Sequence, residues 1–454
     1  MNTRILALLF VVFISVPPSI AQVGDYAPEA ESFLLENGLA VTLHRDTTLA
    51  LIAVNMAYRA GSARDPEGKT GLANICGEML LTGTRRFPRG ELLQLRSEHS
   101  VSMAGRTTVD WFSISSVFPM HMLEDALIIE SDRLQHAEQT VTVEVFDAIM
   151  TSLRREHQRR LRQPLGTLMQ QIFHEMYPSE HPYRHSTIGE ADDLDSITVE
   201  DARIFVKRYF APSNASLTIS GNFDPDRVRA LVERYFSPIP AGIVSRWKNI
   251  PEEFTPFGQS AFIREDRLDF NQMHLIFPTV RYGHPDDAVL RVFAKLLNGS
   301  KHAVLRQAMV NDNPAFINVD VYQSSHEIDG SFWITLTVKL DADLQPLYNQ
   351  VMQLLASIAK DGVTEEEIIA ARNQVALEFY TPLEAFYGVG GRGDLINLGV
   401  LYGGDPLYSF AHFERQQRTS SLDIRRVVDT YFNDENMLLV SIVPAGKTDK
   451  AAQP

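Results

Sequence analysis

Gly71-Leu72-Ala73-Asn74-Ile75-Cys76-Gly77-Glu78-Met79-Leu80-Leu81-Thr82-Gly83-Thr84 is the stretch on which the fold of this chain turns. It follows a loop rich in turn residues, Gly61 to Lys69, and predicts a short apolar helix closed by Gly83. Asn74 and Glu78 fall one helical turn apart on it, with Gly77 beside them. Cys76 is the only cysteine and cannot pair within the chain. Inside an apolar helix it is expected to be a small core residue rather than a nucleophile.

Upstream, Ala30 to Arg59 is strand-like, with Asn37-Gly38 between two apolar runs as a hairpin signal. Downstream come a helix from Arg89 to about His99, strand-like alternation over 101–118, and a helix from His121 to Leu134. Val141 to Arg162 predicts a long helix whose stripe is Val145, Phe146, Ile149, Met150 and Leu153. Glu156, three residues past Leu153, is expected on its buried side, away from the Arg-rich face.

Thr198 is placed to cap a helix with Ala202, Phe205, Val206 and Tyr209 on its apolar face, stopped at Pro212 and followed by a strand over Ser216–Ser220. This segment repeats. Asp201, Val206, Tyr209-Phe210, Asn214 and Leu217 return as Asp423, Val428, Tyr431-Phe432, Asn436 and Leu439, each 222 residues later. A weaker echo links Leu51–Met56 with Met273–Phe277. A period this long means a duplicated domain, not a solenoid unit. Prolines 238, 240, 251 and 256 with Gly242 mark the joint. The expected organisation is a domain over 24–240, a linker over 241–256, a similar domain over 257–446 and a tail over 447–454.

Several of these pieces resemble the insulinase/pitrilysin (M16) metallopeptidases. The first-half pieces are the Gly71–Thr84 helix, Arg155-Glu156-His157-Gln158-Arg159-Arg160, and Tyr177-Pro178…His181-Pro182-Tyr183…Gly189. The second-half pieces are Leu296-Leu-Asn-Gly299…Leu305-Arg306, Asp361-Gly362-Val363-Thr364-Glu365, Gly388–Asp394 and Gly403-Gly404-Asp405-Pro406. The resemblance covers nearly the whole chain after its first residues. It implies an α+β fold of two homologous domains, each a mostly antiparallel sheet packed with helices. In the family, H-x-x-E-H on the first helix supplies two zinc ligands and a general base. Asn74, Gly77 and Glu78 stand at those three places, and Glu156 stands where the family has its third ligand. An amide is a poor zinc ligand, and glycine can take no proton from water. The resemblance therefore implies a kept scaffold with its chemistry removed, and no metal is expected in this chain. Glu78 and Glu156 remain vestigial candidates for a weak Ca²⁺ or Mg²⁺ site, or are neutralised by Arg154, Arg155 or Arg159. Arg306 and Phe316 stand near the family's substrate-holding Arg and Tyr.

Composition narrows the remaining choices. A net charge of −15 argues against a nucleic-acid partner. Residues 1–21 read as a signal peptide, with Arg4, an apolar run from Ile5 to Val16, and Ser19-Ile20-Ala21 before Gln22. No other segment approaches a membrane span. The expectation is an exported protein, periplasmic in a Gram-negative bacterium. His181 and His185 are read as structural in a Pro-Tyr loop, His99, His157 and His326 as solvated, and Arg392-Gly393-Asp394 as a chance tripeptide. No P-loop, G-x-S-x-G or dinucleotide fingerprint occurs.

The resemblance implies a non-catalytic subunit of an exported zinc peptidase. It would be paired as a heterodimer with a sister chain that carries the intact motif and the zinc, and would enclose peptides or unfolded segments. Two alternatives stay open: a stand-alone binding or scaffold protein of the same fold, and an active metallopeptidase with unorthodox ligands.

Overall fold

In the computed structural model, residues 30–243, 258–309, 315–385 and 388–454 are described. The expected signal peptide and nearly all of the expected linker lie outside them. Two sheets organise the chain. The first contains β1 (Ala30–Leu34), β2 (Ala40–Arg45), β3 (Leu51–Tyr58), β4 (Ser102–Thr107), β5 (Phe112–Pro119) and β6 (Ala215–Gly221), in the order β1-β2-β6-β3-β5-β4. The second contains β7 (Gln259–Asp266), β8 (Phe270–Thr279), β9 (Phe316–Ser325), β10 (Gly330–Lys339) and β11 (Met437–Pro444), in the order β7-β11-β8-β10-β9. Leaving β1 aside, the two orders match strand for strand. Each sheet has one parallel pair, β2–β6 and β7–β11, among antiparallel neighbours. The α+β duplication read from the sequence is thus the architecture.

The repeated residues do the same work in both halves. Thr198 and Asp201 form a reciprocal capping box on the Val199–Tyr209 helix, and Ser420 with Asp423 does so on Ser421–Tyr431. Tyr209, Phe210 and Leu217 lie in the first hydrophobic core, and Tyr431, Phe432 and Leu439 in the second. Asn37-Gly38 lies in a five-residue connection between β1 and β2, with Gly38 at φ 85°. The Asn37 side chain is buried there and donates to the carbonyls of Phe236 and Ile239, clasping the last helix of the half.

The alternating text over 101–118 is two strands, broken where Thr108 and Trp111 bond to each other. Residues 447–452 are no free tail. Ala452 is buried against the second core, and both its N–H and its carbonyl bond to Ser441 Oγ.

The halves exchange helices. One face of the first sheet is apolar and packs on its own helices. The other carries Asn55, Ser113, Ser115, Ser216 and Thr218, all buried. The Arg392–Gly403 helix, from the second half, covers that face. Asn397 accepts from Ser216 and Thr218 at 2.8 Å and donates to the Asn55 carbonyl. Asp394 accepts from Asn55, Ser113 and the Gly390 N–H. Gly393 is required here, because a Cβ would lie 2.4 Å from Asn55 Oδ1. Reciprocally, Leu168, Ile172 and Met176 of the Leu168–Met176 helix pack on Ile276, Trp333, Leu438, Val440 and Ile442 of the second sheet. The Arg392-Gly393-Asp394 tripeptide is therefore a clamp between the halves, with Arg392 also donating to Asp46 at 2.7 Å. Asp394→Asn places an amide donor among donors. It is expected to cost about 1–3 kcal/mol in urea unfolding.

Candidate functional site

The Leu72–Leu81 helix forms as the sequence predicts, and its start is fixed by burial and backbone geometry. Gly71 adopts φ 93°, and a Cβ there would lie 2.8 Å from the Ile188 carbonyl oxygen. Asp65 accepts the Gly71 and Ala73 N–H groups, both at 2.7 Å, filling the role of a cap. Burial pushes the Asp65 carboxyl well above its usual range. The helix ends at Leu81 with Thr82 as its cap. Gly83 is instead a close-approach site, where a Cβ would sit 2.9 Å from the Arg89 nitrogen. Cys76 is buried core, and its thiol pKa is raised by burial.

Gly77 is buried, and its place is taken. A Cβ would fall 2.6 Å from Phe112 Cε2 and 2.9 Å from Thr107 Oγ1. Phe112 cannot retreat easily. It is almost fully buried, with ring contacts to Tyr58 and Phe210 at centroid distances of 6.4 and 5.6 Å. Asn74 is half-buried and Glu78 exposed, the two positions of the helix middle left outside the core. Although Glu78 reaches solvent, enough protein surrounds its carboxyl for desolvation to raise its pKa.

Glu156 flanks the inner face of the Val143–Arg162 helix, half-buried where Arg154, Arg155, Gln158 and Arg159 are exposed. Its carboxylate is neutralised by Arg159, as one of the two sequence readings has it, and by Arg160 Nε at 3.0 Å. These hydrogen bonds and charges hold its carboxyl below the ordinary range. Residues three and four along a helix are its natural partners. Among the described residues, no three His, Cys, Asp or Glu side chains converge as a metal site. An amide, a glycine and an arginine-bound carboxylate do not fit a zinc centre.

The other sequence candidates lie apart from this helix. Arg306, on Val304–Met309, donates to Asn298 Oδ1 at 3.2 Å, and Phe316 opens β9 against the second core. His181 is structural, stacked on Tyr177 at 4.3 Å and paired with Asp329. His157 and His326 are not simply solvated. His157 bonds the Ile188 carbonyl, and His326 lies 3.7 Å from Asp110.

A cleft lies between the halves. Its larger cavity, about 580 Å³, reaches from Arg106, Thr108 and Trp111 to Arg291, Tyr402 and His412. Its smaller cavity, about 220 Å³, lies between the Leu168–Met176 helix and the sheet edge at β9 and β10. Asp110 ties the walls together, accepting from Tyr183 and Tyr402 hydroxyls at 2.6 and 2.8 Å and from the Glu327 N–H. Sequence reasoning missed these residues. Asp110 sits in a short turn, and its partners are 73 to 292 residues away. The cleft is flanked by β4 and β9, each the last strand of its sheet.

Residues 196–375 match the family model described as the Peptidase M16 inactive domain. The chain is 22% identical to the zinc protease PqqE of Helicobacter pylori, over 97% of this chain and 98% of that one. Its fold is that of a peptidase M16 inactive domain from Pseudomonas fluorescens, at TM-score 0.79 and 17% identity, covering 94% and 99% of the two chains. It is equally that of the first half of the periplasmic protease PqqL from Escherichia coli, at TM-score 0.75 and 16% identity, covering 94% of each. The family match is confined to residues 196–375, while the likeness to the zinc protease and to the solved M16 folds runs over nearly the whole chain. No helix among the described residues is long and apolar enough to cross a membrane.

Proposed function

We propose that this chain is a non-catalytic M16 subunit, exported and partnered with a sister chain whose intact H-x-x-E-H holds the zinc. Gly77 carries the reading. Water activation needs a carboxylate at that position, and the space for one is filled by Phe112 and Thr107. What remains is the cleft with its flanking edge strands β4 and β9, suited to hold a peptide or unfolded segment by backbone pairing. Export is supported by the apolar run near the N-terminus, and by the periplasmic location printed for the Escherichia coli protease of like fold.

The test is zinc content and hydrolysis of an unfolded protein substrate. The purified chain incubated with Zn²⁺ is expected to retain well below the roughly one metal per chain of a working site, and to cleave nothing. Mixed with the M16 chain of the same organism that has the intact motif, it is expected to give hydrolysis that neither chain gives alone. Stoichiometric zinc together with hydrolysis by the chain alone would overturn the proposal. Absence of any gain on mixing would favour the scaffold alternative.

A further inference from the structure

The two cavities of the cleft flank one strand. Within β9, Ser324 lines only the smaller cavity and Gln323 and Ser325 only the larger, while Tyr322 borders both. Among the described residues no strand pairs with the outer edge of β9. A segment added along that edge sends successive side chains to opposite faces of the sheet, and so toward the two cavities in turn.

The smaller cavity is built for one kind of side chain. Phe173, Tyr177 and Tyr183 from the first half face Tyr322 and Trp333 from the second. Tyr322 and Trp333 stack with centroids 5.7 Å apart and rings 11° from parallel. At the mouth, Met169 and Tyr322 leave large apolar surface open, 40% and 43% exposed, one from each half. The lining has no Lys, Arg, Asp or Glu, and its second histidine, His326, already lies 3.7 Å from Asp110. Burial raises the pKa of all three tyrosines, Tyr322 to about 12, and lowers that of His185, so these four are neutral at pH 7. A charged guest would be desolvated there without a counter-ion. An aromatic guest would gain apolar burial and ring contacts of the offset or edge-on kind.

We infer that the 220 Å³ cavity is a specificity pocket for a single aromatic side chain of an extended peptide laid along β9. This deepens the peptide-chamber reading and rests on it. The next side chain along such a peptide would reach the larger cavity, whose Gln323, Ser325 and His412 suit a hydrogen-bonding group.

The experiment is calorimetric titration of the full chain with unstructured peptides about ten residues long. They are identical except for Phe, Ala or Asp at one central position. Phe→Ala in the peptide is expected to weaken binding about ten- to a hundredfold, as loss of one buried aromatic group implies, and Phe→Asp at least as much. Two pocket-filling variants, Met169→Trp at the exposed mouth and Ser324→Phe on the strand, are expected to abolish the preference, so that the Phe and Ala peptides bind each variant with the same affinity. Having two protects the test against misfolding of either. Equal binding of the Phe and Ala peptides, or a preference that survives both fillings, overturns the pocket and leaves the chamber reading intact. Failure of every peptide to bind overturns both.

Discussion

Gly77→Glu is expected to unfold the first half rather than return the family's general base. The Cβ alone would press into Phe112 at 2.6 Å, and overpacking of this kind costs about 1–3 kcal/mol. The carboxylate beyond it would enter a region lined by the Phe112 ring and the Thr107 hydroxyl, and an unpaired buried charge adds several kcal/mol more. Gly77→Ala separates the two costs and reverses an ordinary sign. In an exposed helix interior alanine is better than glycine by about 1 kcal/mol, yet here it is expected to be destabilising. Urea midpoints for the alanine and glutamate variants measure both. A glutamate variant as stable as the wild type would mean that Phe112 yields, and would remove the main support for a non-catalytic chain. For the same reason, restoring all three motif positions together is not expected to give a zinc site unless Phe112 is reduced as well.

The second large effect belongs to Asp287, on the Pro285–Asn298 helix. Its fully buried carboxylate accepts from Arg291 Nε at 3.2 Å and from Ser325, and lies 3.0 Å from His412 Nε2. Removing one member of such a group strands the others in the interior. Asp287→Ala is therefore expected to cost about 3–5 kcal/mol and to disturb the cleft wall, where Arg291 and His412 both stand. Burial by itself would raise the Asp287 pKa, but Arg291 and, when protonated, His412 outweigh it and hold the carboxyl far below its usual range. The folded chain thus binds fewer protons here than the unfolded chain. The stabilisation is fully present above about pH 4, the ordinary aspartate value, and is lost as pH falls through the folded pKa. Stability of Asp287→Asn should consequently fall less than that of the wild type as pH drops below 4. Parallel curves would mean that other carboxylates dominate acid unfolding.

What the sequence told depended on how local the physics was. Asp201, Val206, Tyr209-Phe210, Asn214 and Leu217 return at one fixed offset of 222 residues, so the duplication is legible from spacing alone. Cys76 was rightly read as core because the whole surrounding helix is apolar. For Glu156 the apolar stripe gives the helix face, but of the arginines nearby the stripe does not single out Arg159 and Arg160 as the ones that bind it. The exchanged helix was harder still. Asn55, Ser113, Ser115, Ser216 and Thr218 alternate with apolar neighbours, the pattern of a sheet face turned to water, yet all are buried. The Asn and Asp on the Arg392–Gly403 helix, with the Gly388 N–H on Ser115, complete them, and that pairing spans some 180 to 340 residues.

The crossed helices also carry a history. A half whose helix covers the sheet of an equivalent half is what a two-fold homodimer looks like once its two copies are joined end to end, because an isologous contact is made twice with the same parts. After such a fusion the copies no longer answer to one gene segment. The second copy carries Arg392, Asp394 and Asn397 as a polar clamp, while the first carries the apolar Leu168, Ile172 and Met176 in the corresponding place. Neither half retains a covered sheet without the other, so the joined chain, and not the half, is the smallest unit on which selection for stability can act.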